Sequence, residues 1–363
     1  GRGPPPLVDT WCRRWRLTVD GPPVHGSNAL VVPVRRAGTP AALRLTPPGD
    51  ETVLYDERLE EVPVDEPADL VAMTVETFTA RRAWQLAHAF RRRGVPVVAG
   101  GYHPSFVPEE ALEHVDAVVS GDAEGLWPRV VEDARHGRLA RRYGPSPPPP
   151  LEGVRFDRRV FAGKRYRPVL PVQYGRGCKF NCDFCSIRAF YGRSLRQRPV
   201  AEVAEEIRAA GRRTVLLVDD NLFVDTEKAR ELFEALLPLN VRWGCQVSID
   251  VARDESLLDL MAASGCVCAL IGFESLAPAS LRQMKKGWNR KWLGYREAIS
   301  RLKRRGILVY GSFVFGYDHD TVDTFAETAR FALDERLFLV NFSALTPTPG
   351  SPMSCGRARP TST

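Results

Sequence analysis

The sequence predicts an α/β protein in two parts: a flavodoxin-like, doubly wound N-terminal domain, then a partial (β/α)6 TIM-like barrel. Three observations predict it. Short apolar runs alternate with stretches of helical period, the pattern of parallel sheets covered by helices. The run Pro145-Ser-Pro-Pro-Pro-Pro150 interrupts this pattern, because it favours polyproline II and cannot continue a helix or a central strand. Beyond it, six βα units fit between positions 172 and 345. The expected divisions are an unassigned segment 1–27, a sheet domain 28–144, a Pro-rich linker 145–165, a barrel 166–352 and a polar tail 353–363.

In the first part, Asn28 to Val34, Thr52 to Tyr55, Asp69 to Val75, Val95 to Ala99 and Ala117 to Val119 read as strands. Ala80, Ala83, Trp84, Ala87 and Phe90 recur at helical spacing, and Gly94 ends that helix. Ligands of such sheets sit outside the carboxyl ends of the strands. Those ends carry Thr74-Val-Glu76, Gly100-Gly-Tyr-His103 and Gly121-Asp-Ala-Glu124, where glycine lets a large ligand approach the backbone.

In the second part, strands are expected at Val172 to Tyr174, Thr214 to Asp219, Val241 to Val247, Val267 to Phe273, Ile307 to Phe315 and Phe338 to Leu345. The first helix between them has Pro199 at N1, Val200, Val203, Ala204 and Ile207 on one face, and Gly211 as terminator. Functional residues of a barrel sit at the C-terminal strand ends. Here those ends read Val218-Asp-Asp-Asn221, Gln246-Val-Ser-Ile-Asp250, Gly272-Phe-Glu-Ser275 and Gly311-Ser-Phe-Val-Phe-Gly-Tyr-Asp318.

At 363 residues, 44% hydrophobic and 26% charged, the chain has the composition of a globular protein and not of a disordered one. No apolar run reaches the ~18 residues of a membrane helix. The start, Gly1-Arg-Gly-Pro-Pro-Pro, has no apolar signal-peptide core and no initiator methionine. The net charge of +7 includes arginine runs at 91–93, 141–142 and 301–305. Each falls at the expected end of a helix, where cations favour the dipole, so a solvated surface is read here rather than a nucleic-acid face.

Three of the eight cysteines form the C-x3-C-x2-C run Cys178, Cys182 and Cys185. Three thiolates this close can hold three corners of a 4Fe–4S cubane, and no fourth cysteine lies nearby. Such a cluster normally takes four cysteines, so one iron is left open for a non-protein ligand. A structural zinc site is the alternative, but zinc wants four closed ligands in paired units and no second pair follows. Such a cluster needs a reducing compartment, which makes cytoplasm the expectation. Cys245, Cys266 and Cys268 lie in strand-like segments and read as core thiols, while Cys12 and Cys355 are scattered.

The spacing, with Phe184 just before the last cysteine, resembles the signature of radical SAM enzymes. Further phrases resemble the branch with an N-terminal cobalamin (B12)-binding domain, which includes hopanoid, bacteriochlorophyll and natural-product C-methylases. They are Gly100-Gly-Tyr-His-Pro104, Val119-Ser-Gly-Asp-Ala-Glu124, Val218-Asp-Asp-Asn221, Ile271-Gly-Phe-Glu-Ser275, Phe313-Val-Phe-Gly-Tyr-Asp-His-Asp320 and Leu345-Thr-Pro-Thr-Pro-Gly-Ser351. The resemblance implies that the open iron chelates S-adenosylmethionine. Reduction then releases a 5′-deoxyadenosyl radical, and methylcobalamin gives its methyl to an unactivated substrate carbon. It also implies that Phe184, Asp220 (with its neighbour Asp219), Ser248, Glu274 and Gly316 meet S-adenosylmethionine, and that Thr74, Glu76, Gly100, Gly101, Gly121 and Glu124 meet cobalamin. The bland alternative is that these are caps and turn residues of βα loops. Implied partners are a small or lipid-like substrate and an electron donor such as flavodoxin or ferredoxin.

Two departures qualify the resemblance. The loop Val34-Arg-Arg-Ala-Gly38 stands where a D-x-H-x-x-G motif would supply a histidine to cobalt, so cobalamin is expected to bind without a histidine ligand. His103 reads as a support for the turn before Pro104. His319, between Asp318 and Asp320, reads as a substrate acid/base or, favoured by its neighbours, a loop cap. Related proteins continue past Ser351-Pro352, whereas this chain runs into a tail without periodicity, as a fragment or a frameshifted end would. Rival functions are radical oxidation, cyclisation or rearrangement without methyl transfer, and an inactive cluster- or nucleic-acid-binding protein. Replacing Cys182→Ala is expected to lower bound iron and abolish S-adenosylmethionine cleavage while the fold survives; unchanged cleavage refutes the cluster assignment.

Overall fold

The computed structural model describes the backbone of residues 17–19, 24–25, 30–36 and 39–45, all of 52–290 and 294–354, and the backbone of 355–356. Two compact units divide the chain: residues 1–61 with 157–163, and residues 62–156 with 164–363.

The first unit holds an antiparallel sheet of β1 (Leu17–Val19), β2 (Val24–His25), β3 (Leu30–Arg36) and β4 (Thr39–Leu45), with β3 paired to all the others. This corrects the expectation of a parallel strand over Asn28 to Val34. Only two residues separate β3 from β4, and a parallel crossover needs a dozen or more. The stretch Thr52 to Tyr55 forms no strand at all. Val53 there is 56% exposed.

In the second unit, β5 (Val71–Thr74), β6 (Val97–Gly100), β7 (Ala117–Val119) and β8 (Arg142–Tyr143) form a parallel sheet in that order. Its faces follow the period of two. Val97, Ala99 and Val118 pack with Trp84, Ala87 and Phe90 of the helix Ala80–Arg92, and with Ala111 and Leu112 of Pro108–His114. On the opposite face, Val98, Ala117 and Val119 pack with Val130 of Trp127–Arg135. Helices on both faces are what the doubly wound reading required. Arg141 and Arg142 depart from it: Arg142 lies on β8 rather than at a helix end, paired to Glu109 at 2.7 Å.

The barrel follows in the same unit. β9 (Leu170–Val172), β12 (Thr214–Leu217), β13 (Arg242–Val247), β14 (Cys266–Glu274), β15 (Leu308–Phe315) and β16 (Leu339–Ala344) pair in sequence order, every pair parallel. These are the six expected strands. The helix Val200–Ala210 buries Val200, Val203, Ala204 and Ile207 and ends at left-handed Gly211, although Pro199 is its N-cap rather than its first residue. Between β9 and β12 the strands β10 (Gly175–Arg176) and β11 (Arg196–Gln197) pair antiparallel, a ribbon that sequence reading missed because each strand has only two residues.

One face of the barrel sheet is sealed by helices. Val215, Leu217, Trp243, Cys245, Val247, Ile271, Phe273 and Phe313 join Ile207, Leu232, Phe233, Leu257 and Leu302 in one core. Trp243 is fully buried, 5.2 Å from Phe233, and its Nε1–H donates to Ser264 O at 2.9 Å. Trp243→Phe leaves that buried carbonyl without its donor. It should lower stability by about 1–3 kcal/mol, read as a lower urea midpoint at unchanged slope.

Candidate active site

The three cysteines sit on a loop whose two ends are tied together by the β10–β11 ribbon. The ends of β9 and β12 lie side by side, and two carboxylates following β12 hold the loop. Asp219 accepts Tyr174 N–H at Oδ1 (2.8 Å) and Gly175 N–H at Oδ2 (2.7 Å). Asp220 Oδ2 accepts Gly177 N–H at 2.8 Å, one residue before Cys178. Asn221, which sequence reading quoted only as part of a phrase, donates from Nδ2 to Cys178 Sγ (3.6 Å) and to Ser248 Oγ (3.1 Å), and accepts Ser248 N–H. The segment after β12 thus supplies three consecutive side chains to this loop, and Ser248 is joined to it through Asn221.

Cys182 is buried, and Cys178 and Cys185 are half-buried. Burial pushes the Cys182 thiol up to about 12 and the Cys185 thiol upward, and each is pulled back by the Lys286 ammonium. All three cysteines act on one another electrostatically. Among the described residues, no three His, Cys, Asp or Glu groups are arranged to hold a single metal ion. Phe184 packs against the barrel core. Cys245 and Cys266 are buried thiols as expected, and Cys268 is half-buried. Cys12 and the Cys355 side chain lie outside the described residues.

Glu274 ends β14 with a left-handed φ of 63°, where the register against β15 shifts. Its buried carboxylate pairs with Lys286 Nζ at 2.7 Å. A Cβ at position 272 would collide with that carboxylate and lie 2.9 Å from Lys286 Nζ, so the pair needs Gly272. Burial would depress the Lys286 pKa, but Glu274 and the cysteines hold it above its usual value. Gly316 begins the turn after β15, where Asp320 Oδ2 accepts its N–H (2.8 Å) and that of Tyr317 (3.1 Å). Asp320 is therefore the cap and His319 is exposed beside it. Tyr317 OH donates to Asp183 Oδ1 at 2.7 Å, inside the cysteine loop.

The sheet edge above carries the other candidates. Thr74 is exposed at the end of β5, and Glu76 is half-buried with its carboxyl raised by burial. Gly101 has φ 100°, and a Cβ there would lie 2.9 Å from Val75 O. Ser105 Oγ donates to Gly101 O (2.7 Å) and accepts Gly121 N–H (3.1 Å), which joins the ends of β6 and β7. His103 is buried between Thr77 Oγ1 (3.3 Å) and Glu110 Oε1 (3.2 Å), a turn support as expected. Glu124 pairs with Arg176 of the ribbon. Arg176 also meets Asp122 at 2.7 Å, and Asp122 meets Arg196 at 2.7 Å. Tyr102 lies 4.4 Å from Phe190, ring centre to ring centre, and hydrogen-bonds Tyr191 of the helix that follows Cys185. The sheet edge and the cysteine loop are thus joined by ion pairs and by an aromatic cluster.

Residues 172–332 match the radical SAM superfamily and residues 46–131 match the B12 binding domain. The bacteriochlorophyllide d C-12(1)-methyltransferase of Chlorobaculum tepidum is 32% identical over 315 residues, 84% of this chain and 69% of that protein. The chain belongs to the radical SAM superfamily. It belongs to the branch with a B12-binding domain, whose cofactors are a 4Fe–4S cluster, S-adenosylmethionine and cobalamin. The anaerobic magnesium-protoporphyrin IX monomethyl ester cyclase of Rubrivivax gelatinosus is 26% identical over 316 residues, 77% of this chain and 56% of that protein. The fold matches the radical S-adenosylmethionine methyltransferase TsrM from Kitasatospora setae, solved with tryptophan and a S-adenosylmethionine analogue. The TM-score is 0.65 at 20% identity, covering 80% of this chain and 65% of that one. This chain therefore spans just under two thirds of that structure. No described helix is long and apolar enough to cross a membrane.

Burial outweighs the two backbone donors at Asp219 and pushes its pKa up to about 7. Because this lies above the unfolded value of about 3.9, the protonated group contributes stability that is full below about pH 4 and lost as pH rises through 7. Asp219→Asn removes that slope and turns an amide NH2 toward a backbone N–H. Its stability deficit relative to wild type should be larger at pH 5 than at pH 7.5 in urea titrations. A deficit that grows with pH contradicts this.

Proposed function

We propose that this protein methylates an unactivated carbon of a small or lipid-like molecule, with a tetrapyrrole-type substrate suggested by the bacteriochlorophyllide relative. Bound in this fold, the cluster and S-adenosylmethionine supply reductive cleavage to a substrate-activating radical, and cobalamin supplies the methyl group. The observation that carries the reading is the joining of the cysteine loop and the glycine-lined sheet edge through Arg176, Asp122, Glu124 and Tyr102.

In this reading Cys178, Cys182 and Cys185 hold three irons, and Asp219, Asp220 and Asn221 fix the loop that presents them. Phe184, Ser248, Glu274 and Gly316 stand around S-adenosylmethionine with Asp220. Thr74, Glu76, Gly100, Gly101 and Gly121 offer small and polar groups to the corrin, with Glu124 at the margin. At this edge His103 is occupied by Thr77 and Glu110. The open barrel face, with Leu216 at 44% exposure and half-buried Leu270 and Tyr310, offers an apolar wall to the substrate. A flavodoxin- or ferredoxin-like carrier is the proposed electron donor.

The cyclase relative favours a second reading, radical cyclisation with no methyl transferred. Anaerobic reconstitution with iron, sulfide and hydroxocobalamin, followed by desalting and an absorption spectrum, separates the two. Corrin bands retained beside the cluster's broad absorbance are expected. A cluster without corrin favours the second reading, and loss of both chromophores refutes the two together.

A further inference from the structure

The turn from Met284 to Asn289 belongs to none of the expected motifs, yet it docks on the cysteine loop. Met284 O accepts Asp183 N–H at 3.2 Å, and Trp288 stacks on Phe180 with ring centres 3.5 Å apart and planes 6° apart. Phe180 lies between Cys178 and Cys182, and Asp183 between Cys182 and Cys185. Lys286 stands between these two contacts, buried, with Glu274 as its carboxylate partner.

Several features hold this ion pair in place. Glu274 is kept left-handed, a strained conformation that persists only where its surroundings over-determine it. Asn289 Nδ2 donates to Gly272 O (3.2 Å) and Phe273 O (3.1 Å), and Tyr295 OH donates to Phe273 O (3.0 Å). Gly272 leaves the room the two charged groups need. A buried ion pair seldom repays its desolvation in stability, so this investment points to another role. The two contacts that flank Lys286 in this turn both go to the cysteine loop, and the Lys286 charge acts on Cys182 more strongly than that of Glu274.

We propose that Lys286 sets the reduction potential of the cluster held by Cys178, Cys182 and Cys185, and that Glu274 limits its effect. This rests on the cluster reading above. The step concerned is the gain of one electron, from [4Fe–4S]2+ to [4Fe–4S]+, supplied by a low-potential one-electron reductant. No bond to Lys286 forms and no proton moves. The reduced form carries one more negative charge, and a fixed cation in a poorly screened interior favours it. Lys286 is a positioning residue for charge and touches no reacting atom.

The test uses wild type, K286M, K286R and E274Q, reconstituted with iron and sulfide in the absence of S-adenosylmethionine. Iron content is measured, and the reduced fraction is followed by electron paramagnetic resonance through a potentiometric titration. In K286M the reduced-to-oxidised ratio at a fixed potential should fall about tenfold, about 59 mV for a one-electron couple. E274Q should shift the other way, because the ammonium is no longer offset, and K286R should stay near wild type. Disturbed packing alone would not give opposite signs. Shifts of one sign in K286M and E274Q, or unmoved midpoints at full iron content, overturn the proposal. Should K286M fail to fold, E274Q decides by itself, and an unmoved or lowered midpoint there overturns it. Wild type that takes up no iron overturns the cluster reading, and this proposal with it.

Discussion

The pair Asp219–Asp220 is the constraint on which the rest of the site depends. The two-residue ribbon at the ends of the cysteine loop leaves most of its backbone without a ladder. Here three backbone groups leading into it, at Tyr174, Gly175 and Gly177, donate their N–H groups to carboxylates at the end of the neighbouring strand. Hydrogen bonds to carboxylates are the stronger kind when the acceptor is ionised. Burying two adjacent acids is expensive, as the raised pKa of Asp219 records. The expense is understandable at a site whose ligand spacing must be held before any metal arrives. Asn221 extends the same register to Cys178 and to β13, so the loop is referenced to two barrel strands at once.

The B12-type sheet is tied to this loop by charge as well as by packing. Arg176 lies on the ribbon that closes the cysteine loop, and it meets two acids from the turn after β7. Its side chain and that of Asp122 are both nearly inaccessible, and each has a second partner, Glu124 for Arg176 and Arg196 for Asp122, so the charges are shared across a small network. The aromatic contact of Tyr102 with Phe190 and Tyr191 adds a second, uncharged link. The two cofactor regions are therefore held together by groups that also anchor the loop itself. A change in either region is felt at the other.

Much of this architecture was legible in the sequence, and the failures have a common cause. Barrel strands such as Thr214–Leu217 could be read because they alternate a buried with an open face, and the cysteine triplet because its members are local in sequence. The helix Val200–Ala210 was legible from four buried residues at one spacing. What escaped were contacts between distant segments. Nothing local in Lys285-Lys286-Gly-Trp-Asn289 says that the second lysine is buried against Glu274, nor does Arg176 announce Asp122. Asp220 was expected at S-adenosylmethionine, and no local signal showed that its carboxylate also holds Gly177. The strand over Asn28 to Val34 was read with the right extension and the wrong partners, because β-propensity does not distinguish a hairpin from a crossover. The available signal was Ala37-Gly38, too short a link for a parallel return.

The barrel's inner face explains why such a fold suits radical chemistry on a sizeable molecule. A closed eight-stranded barrel fills its interior with layers of branched side chains. Here six strands pair in an open row, and the face not covered by helices carries Gly244, Gln246, Gly272 and Ser312 among a few apolar groups. Small and polar residues there leave space that packing would otherwise claim. Gln246 lies level with Leu270 and Tyr310, and Gly244 with Leu216, while Asn221, Ser248 and Glu274 stand at the strand ends beyond them. A polar cofactor would find its partners at the rim, and an apolar substrate its wall below or beside it. The left-handed Glu274 sits at that rim, where the register against β15 shifts and its carboxylate meets Lys286. In this protein the departure from ideal strand geometry and the placement of charge beside the cysteines are one structural event.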